Sequence, residues 1–173
     1  MQEIITMYLN QIILSILVSL NLTASNILPN NSIQLIENGT VVRAVDGDTI
    51  EVFQNNKLEK VRLIGVNTPE TVDPRKDVQC YGLEASLFLK KEIEGKKVVL
   101  ENDPTQQDKD TYGRSLRYVF LDGKNINQKI IEEGYGFEYT YKVPYKFQKE
   151  FKKSEDEAKA GSKGLWNKDN CNY

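Results

Sequence analysis

The apolar positions of this chain follow three rhythms in turn: a continuous run, short alternating blocks, and stripes of helical spacing. Residues 12–22 (IILSILVSLNL) form the continuous run, interrupted by two serines and one asparagine. Residues 40–44 (TVVRA) are rich in β-branched side chains, as strands are. Asp46-Gly47-Asp48 signals a tight turn. Residues 49–53 (TIEVF) alternate as a second strand, 54–57 (QNNK) read as a hairpin turn, and 58–66 (LEKVRLIGV) read as a third strand. Three strands joined by short turns predict a meander.

Residues 67–79 carry Pro69, Pro74 and mixed charges, and predict a loop long enough to be functional. Helical spacing begins after it. Ala85, Phe88, Leu89 and Ile93 make a core-facing stripe over 81–93, and Gly95 ends that helix. Residues 96–101 (KKVVLE) and 115–121 (SLRYVFL) read as fourth and fifth strands, separated by the polar segment 102–113. A second helix is expected over 126–133, broken by Gly134-Tyr135-Gly136. An aromatic segment follows over 137–145. A strongly charged last helix is expected over 145–160, ended by Gly161. Five short strands with one helix after the third and two at the end predict an α+β fold, mainly β. The order is that of a five-stranded OB-fold barrel with three α-helices.

Composition narrows the chemistry. The chain has 173 residues, enough for one domain, with 28% charged and 39% hydrophobic positions, the balance of an ordinary globular protein. There is no histidine. Imidazole bases and His-ligated metals are therefore excluded, and acid–base work falls to Asp, Glu, Lys, Tyr or a metal-bound water. A net charge of −2 argues mildly against a nucleic-acid binder, although a local basic cluster can act against a neutral average.

Before Asn31 the only charge is Glu3, and the apolar run is followed by Thr23-Ala24-Ser25. That pattern predicts a signal peptide over 1–25, a linker over 26–37 and one domain over 38–170. It makes the protein secreted or displayed at the cell surface. The alternative is an uncleaved membrane anchor, for which the run is short. In an exported chain the two cysteines, Cys80 and Cys171, suggest a disulfide between a helix start and the C-terminal tail.

The candidate chemistry lies in 45–70 and just beyond the fourth strand. Asp48, Asn67 and a neighbouring carbonyl offer hard oxygen ligands, which suit Ca²⁺. Arg62 and Arg114 offer planar forks for phosphate oxygens. Glu70 is the type of base that remains when histidine is absent. Each residue also has an ordinary reading. Asp48 can be a turn residue capping its own backbone, and Glu70 a first-turn helix carboxylate. Arg62 can be a strand residue paired with Glu59 or Glu51, and Arg114 a loop charge.

The pieces occur in a distinctive order: Asp46-Gly47-Asp48-Thr49, then Arg62-Leu63-Ile64-Gly65-Val66-Asn67-Thr68-Pro69-Glu70-Thr71. Tyr81-Gly82-Leu83-Glu84-Ala85, Tyr112-Gly113-Arg114 and Gly164-Leu165-Trp166 complete it. Together they resemble the staphylococcal nuclease (thermonuclease) family over about residues 38–170. The resemblance implies a calcium-dependent endonuclease that acts on DNA and RNA and leaves 3′-phosphate ends. It implies Asp48, Asn67 and the Thr68 carbonyl as calcium ligands, Glu70 as general base, and Arg62 and Arg114 on the scissile phosphate. Tyr112, Tyr139 and Tyr141 would lie near the nucleotide, and Lys76 beside the substrate. Asn67 stands where the family often has aspartate, and Thr111 where it often has lysine. No obligate protein partner is implied, and a monomer is expected. Single strands should be preferred, because unstacked bases can reach the barrel face. The competing reading is an OB-type module that holds single-stranded nucleic acid without cutting it. A surface protein anchored by the apolar run is a third.

Overall fold

The architecture follows from how one long strand is bent. In the computed structural model, which describes residues 34–71 and 78–171, strand β1 spans Ile36–Asp46. Its first half pairs antiparallel with β5 (Lys97–Glu101) and its second half with β2 (Thr49–Gln54). Register shifts between Val41 and Arg43 and between Ala44 and Asp46 mark where it bends. Extra residues of this kind curve a strand so that a sheet can close. Strand β3 (Lys57–Leu63) continues from β2, and β6 (Ser115–Leu121) from β5. A parallel pairing of β3 with β6 then shuts the five-stranded barrel. Residues Ser32–Tyr173 form one compact unit. The expected signal segment, most of the expected linker and Lys76 lie outside the described residues.

The interior is built from period-2 positions. Val41, Ile50, Val52, Val61, Leu63, Val98 and Leu100 are fully or almost fully buried. Tyr118 and Val119 are adjacent in β6 yet both buried, so that strand is covered on both faces. Tyr118 meets Phe147 and Phe151 edge-on. Helix α1 (Gly82–Ile93) buries Ala85, Leu89 and Ile93, and its Phe88 stacks on Tyr135 at 4.1 Å. Helix α2 (Ile126–Glu132) is capped by Asn125, whose side chain accepts from the Gln128 N–H. Helix α3 (Gln148–Ala160) buries Phe151, Ser154 and Ala158 and leaves its charges outside. No helix among the described residues is long and apolar enough to cross a membrane.

Four features differ from the sequence reading. The third strand does not run through residue 66. It stops at Leu63, and the chain turns at Gly65 (φ 76°), where a Cβ would lie 2.6 Å from the Tyr145 ring. Only glycine accepts both the conformation and the contact. Beyond the turn a short strand β4 (Val66–Asn67) pairs with β8 (Phe137–Glu138), inside the segment read only as aromatic. The last helix starts at Gln148, and 145–148 form a tighter turn ahead of it, with the Gln148 N–H donating to the Tyr145 carbonyl at 3.1 Å and the Lys146 N–H to Asp103 Oδ2 at 2.7 Å. A further short strand β7 (Lys124–Asn125) pairs with the end of β6. Buried Asn127 ties these pieces together, donating to the Ile64 and Arg117 carbonyls and accepting from the Val119 N–H.

Candidate active site

Barrel closure gathers the candidate residues at one end of β3. Thr49 pairs with Arg62 across β2 and β3, and Arg62 pairs with Leu116 across β3 and β6. Asp48 precedes Thr49, and Arg114 lies two residues before Leu116. Residues far apart in sequence thus become neighbours through strand register. The β4–β8 pairing sets Asn67 opposite Phe137, and the Tyr139 N–H donates to the Gly65 carbonyl at 3.0 Å.

Asp48 is not capping its own turn. Its Oδ2 accepts from the Thr68 backbone N–H at 3.1 Å, twenty residues away, and its Oδ1 from the Thr49 hydroxyl at 3.0 Å. Arg62 Nη2 lies 2.8 Å from Asp48 Oδ2, in an ion pair with both side chains largely buried. The same guanidinium donates to the Leu63 and Val66 carbonyls and, at 3.4 Å, to Asn67 Oδ1. Neither surface partner suggested for Arg62 holds it: Glu51 pairs with Arg43, and Glu59 with Lys57 and Lys109. Asp48 and the Val66 carbonyl beyond the Gly65 turn together aim Arg62.

Arg114 is aimed by a residue the sequence reading missed. Asp110 Oδ2 accepts from Arg114 Nε at 2.6 Å, and Asp110 Oδ1 accepts from the backbone N–H groups of Tyr112 and Arg114. Burial pushes the Asp110 carboxyl up, but these bonds outweigh it and hold the group below its ordinary value. Arg114 also donates to Thr49 Oγ1 at 3.3 Å, so Thr49 links the two arginines' networks. The spacing Asp110-x-x-x-Arg114 was the available signal; nothing in it distinguishes a clamp from a polar loop.

Glu70 joins through Thr71. The Thr71 N–H donates to Glu70 Oε1 at 2.9 Å, and its hydroxyl donates to Asp46 Oδ1 at 2.8 Å. Asp46, read from sequence only as part of the turn, is 7% exposed. Its carboxyl is pushed up from the ordinary 3.8 to about 6, chiefly by burial and further by the nearby Asp48 and Glu70 charges. A groove of about 590 Å³ is lined by Arg62, Asn67, Asp110, Tyr112, Arg114, Tyr139 and Tyr141 among others; Asp46, Asp48, Thr68 and Glu70 do not line it, and Asp48 meets it only through its ion pair with Arg62. All three tyrosines are well exposed, Tyr112 most of all at 84%, and Tyr139 stacks on Tyr141 at 6.4 Å. The Arg114 guanidinium sits 5.4 Å from the Tyr112 ring centre.

Among the described residues, no three Asp, Glu or Cys side chains converge as a metal cage by themselves. The donor set is nevertheless one a hard cation accepts: Asp46 and Asp48 carboxylates, Asn67 Oδ1 and the Thr68 carbonyl. One observation fits a cation here: Thr68 Oγ1 is buried without a hydrogen-bond partner among the described residues. Asp46 is raised mainly by burial, with the Asp48 and Glu70 charges adding to it.

Fold and site together define an OB-type barrel protein with two arginines on one groove, each paired to a carboxylate. The family described as Staphylococcal nuclease homologue matches residues 60–168. A thermonuclease from Staphylococcus hyicus is 43% identical over 126 residues, 73% of each chain. A thermonuclease from Staphylococcus intermedius is 40% identical over 130 residues, 75% of this chain and 76% of that one. Endonuclease YncB from Bacillus subtilis (strain 168) is 40% identical over 132 residues, 76% of this chain but 62% of its own length. This chain belongs to the staphylococcal nuclease family.

Proposed function

We propose that the chain is a calcium-dependent endonuclease that hydrolyses phosphodiester bonds in DNA and RNA. The observation that carries this reading is the convergence of Arg62 and Arg114 on one groove, beside Asp48 and the Asp46–Thr71–Glu70 network. A phosphodiester is already anionic, so attack by water needs positive charge on its oxygens and a stronger nucleophile. The two guanidiniums supply fixed positive charge where negative charge grows. Glu70 takes the proton of the attacking water. The water oxygen bonds to phosphorus as the 5′ P–O bond breaks, and the departing 5′ oxygen takes a proton from solvent, leaving a 3′-phosphate and a 5′-hydroxyl.

Asp48, Asn67 and the Thr68 carbonyl would hold calcium, with Asp46 alongside. When bound, the ion supplies further positive charge to the phosphate and to the attacking water. The exposed tyrosines offer stacking faces for unpaired bases, which favours single strands. We further propose that the protein is exported and acts as a monomer. The Cys80–Cys171 disulfide suits an oxidising compartment.

The test is cleavage of a labelled single-stranded oligonucleotide by the purified protein, with calcium and with a chelator, for wild type and Glu70→Gln. Expected are calcium-dependent cutting, 3′-phosphate ends, and a loss of about 10²–10⁴ in rate for the variant. Binding without cutting would establish the non-catalytic module instead.

A further inference from the structure

The backbone that carries Glu70 is held from a direction the chemistry does not use. The Glu70 N–H donates to Gln79 Oε1 at 2.8 Å, and the Gln79 N–H donates to the Glu70 carbonyl at 3.0 Å. One residue thus grips both polar groups of the Glu70 main chain. Gly82, the first residue of α1, lies directly against the same stretch. A Cβ there would fall 2.6 Å from Thr71 Cγ2, 3.0 Å from the Pro69 carbonyl oxygen and 3.2 Å from that of Glu70. The start of α1 and the Pro69–Thr71 backbone are therefore one packed unit.

That unit is bolted to the far end of the chain. Cys80, next to Gln79, is bonded to Cys171, with the two Cα atoms 6.1 Å apart. The tail bearing Cys171 is itself fixed to the body. Leu165 is fully buried and its N–H donates to the Gly134 carbonyl at 2.8 Å. The Asn170 side chain donates to the Gly164 carbonyl at 2.9 Å, and the Cys171 N–H to the Asn167 carbonyl at 3.0 Å. The buried side chains of α1, by contrast, are Ala85, Leu89 and Ile93, all beyond its first residues apart from Gly82 itself. Among the described residues, the disulfide and the Tyr81–Tyr135 stack at 5.5 Å join the helix start to the rest of the body.

We propose that Gln79 and the Cys80–Cys171 bridge are positioning residues for Glu70, a brace that holds its carboxylate in register with the two arginines. Cys80 is exposed while Cys171 is buried, so a reductant reaches the bridge from the Cys80 side, and activity falls when the bridge is broken. The proposal rests on the assignment of Glu70 as general base. The bond concerned is an ordinary disulfide: a dithiol reductant donates two electrons and two protons, becomes a disulfide itself, and leaves two thiols.

The experiment measures kcat and KM on a single-stranded oligonucleotide with calcium. The proteins are wild type, Gln79→Ala, Gln79→Glu and Cys80→Ser/Cys171→Ser, each also in a Glu70→Gln background. A misplacement near 1 Å costs up to about a hundredfold, so a partly released base should lose about tenfold in kcat. KM should stay within about twofold, because the brace touches no substrate. Gln79→Glu keeps the acceptor and should restore kcat. In the Glu70→Gln background, the brace variants should cause no further loss. Dithiothreitol should bring wild type down to the serine variant and leave that variant unchanged. Thermal melts fix an assay temperature at which each protein is folded, and if the serine pair does not fold, the Gln79 variants decide the matter. Unchanged kcat in folded variants of an active wild type overturns the brace alone, as does an equal loss with or without Glu70. A wild type that does not cut in calcium overturns the nuclease reading, and the brace with it.

Discussion

Asp46 holds a negative charge at a cost the metal-free protein has to bear, and Asp46→Asn should expose that cost. The carboxyl is buried, and its pKa stands at about 6 instead of 3.8 because burial, Asp48 and Glu70 all oppose ionisation. A gap of about two pH units, at about 1.4 kcal/mol each, makes the ionised form about 3 kcal/mol costly. The sign follows from proton counting. Between the two values the folded state binds more protons than the unfolded one, so stability falls as pH rises through that window. The amide keeps an oxygen for the Gly47 N–H and Thr71 hydroxyl bonds, at 2.7 and 2.8 Å, and carries no charge. In chelator near pH 8, Asp46→Asn should therefore be more stable than wild type by about 2–3 kcal/mol, and near pH 4 by nothing. Urea unfolding followed by the single tryptophan, Trp166, measures this. Freshly purified protein is needed, because an Asn-Gly step deamidates. Calcium should reverse the order by stabilising wild type more than the variant. A stability difference that does not change with pH, or a variant less stable near pH 8, would refute the reasoning.

Two further substitutions separate aim from architecture. Asp110→Asn removes the charged tether of Arg114 but lies in a partly exposed pair, so stability should change by less than about 1 kcal/mol. The rate should fall about tenfold as the guanidinium loses its fixed direction, and steady-state cleavage together with a melt checks both. Tyr118→Phe deletes a 2.6 Å hydrogen bond to buried Asp103, which also accepts from Thr105 and the Lys146 N–H. Burial pushes the Asp103 carboxyl up, but these bonds win and hold it below its ordinary value. Its stabilisation is thus present above the unfolded aspartate value and is lost as pH falls through the folded one. The variant should lose about 1.5–3 kcal/mol at neutral pH and progressively less in acid, by urea titration at several pH values.

The hairpins of this barrel were legible because local signals make them. The Gln54–Lys57 turn and the alternation on either side of it need only their neighbours in sequence. The pairing of β3 with β6 is different. It joins Val61 to Ser115 and Arg62 to Leu116, and no local pattern states which strands will meet. The break at Gly65 was missed for a related reason. Residues 58–66 look like one apolar strand, and only the Tyr145 ring, eighty residues later, requires the turn. The shortened last helix has a related origin: 145–148 take a tighter turn first, and its Lys146 N–H is anchored on Asp103, distant in sequence.

In the site the division falls between the groups that would act and the groups that aim them. Arg62, Glu70 and Arg114 stood out through motif order, yet Asp46 and Asp110 did not, because an aspartate in a turn or polar loop is common. Their significance lies in what they face. Each arginine is already pinned by a carboxylate, Arg62 by Asp48 and Arg114 by Asp110. Pinning lowers the conformational freedom that two long side chains would otherwise lose on gripping a phosphate. It also bears on the net charge of −2, which argued mildly against a nucleic-acid partner. The average says little about the groove, where Arg62, Arg114 and Lys142 outnumber the single lining carboxylate, Asp110, beside exposed tyrosines. A field of that kind acts over the few ångströms where a phosphate sits, while the acidic remainder of the surface is screened beyond about 8–10 Å at ordinary salt.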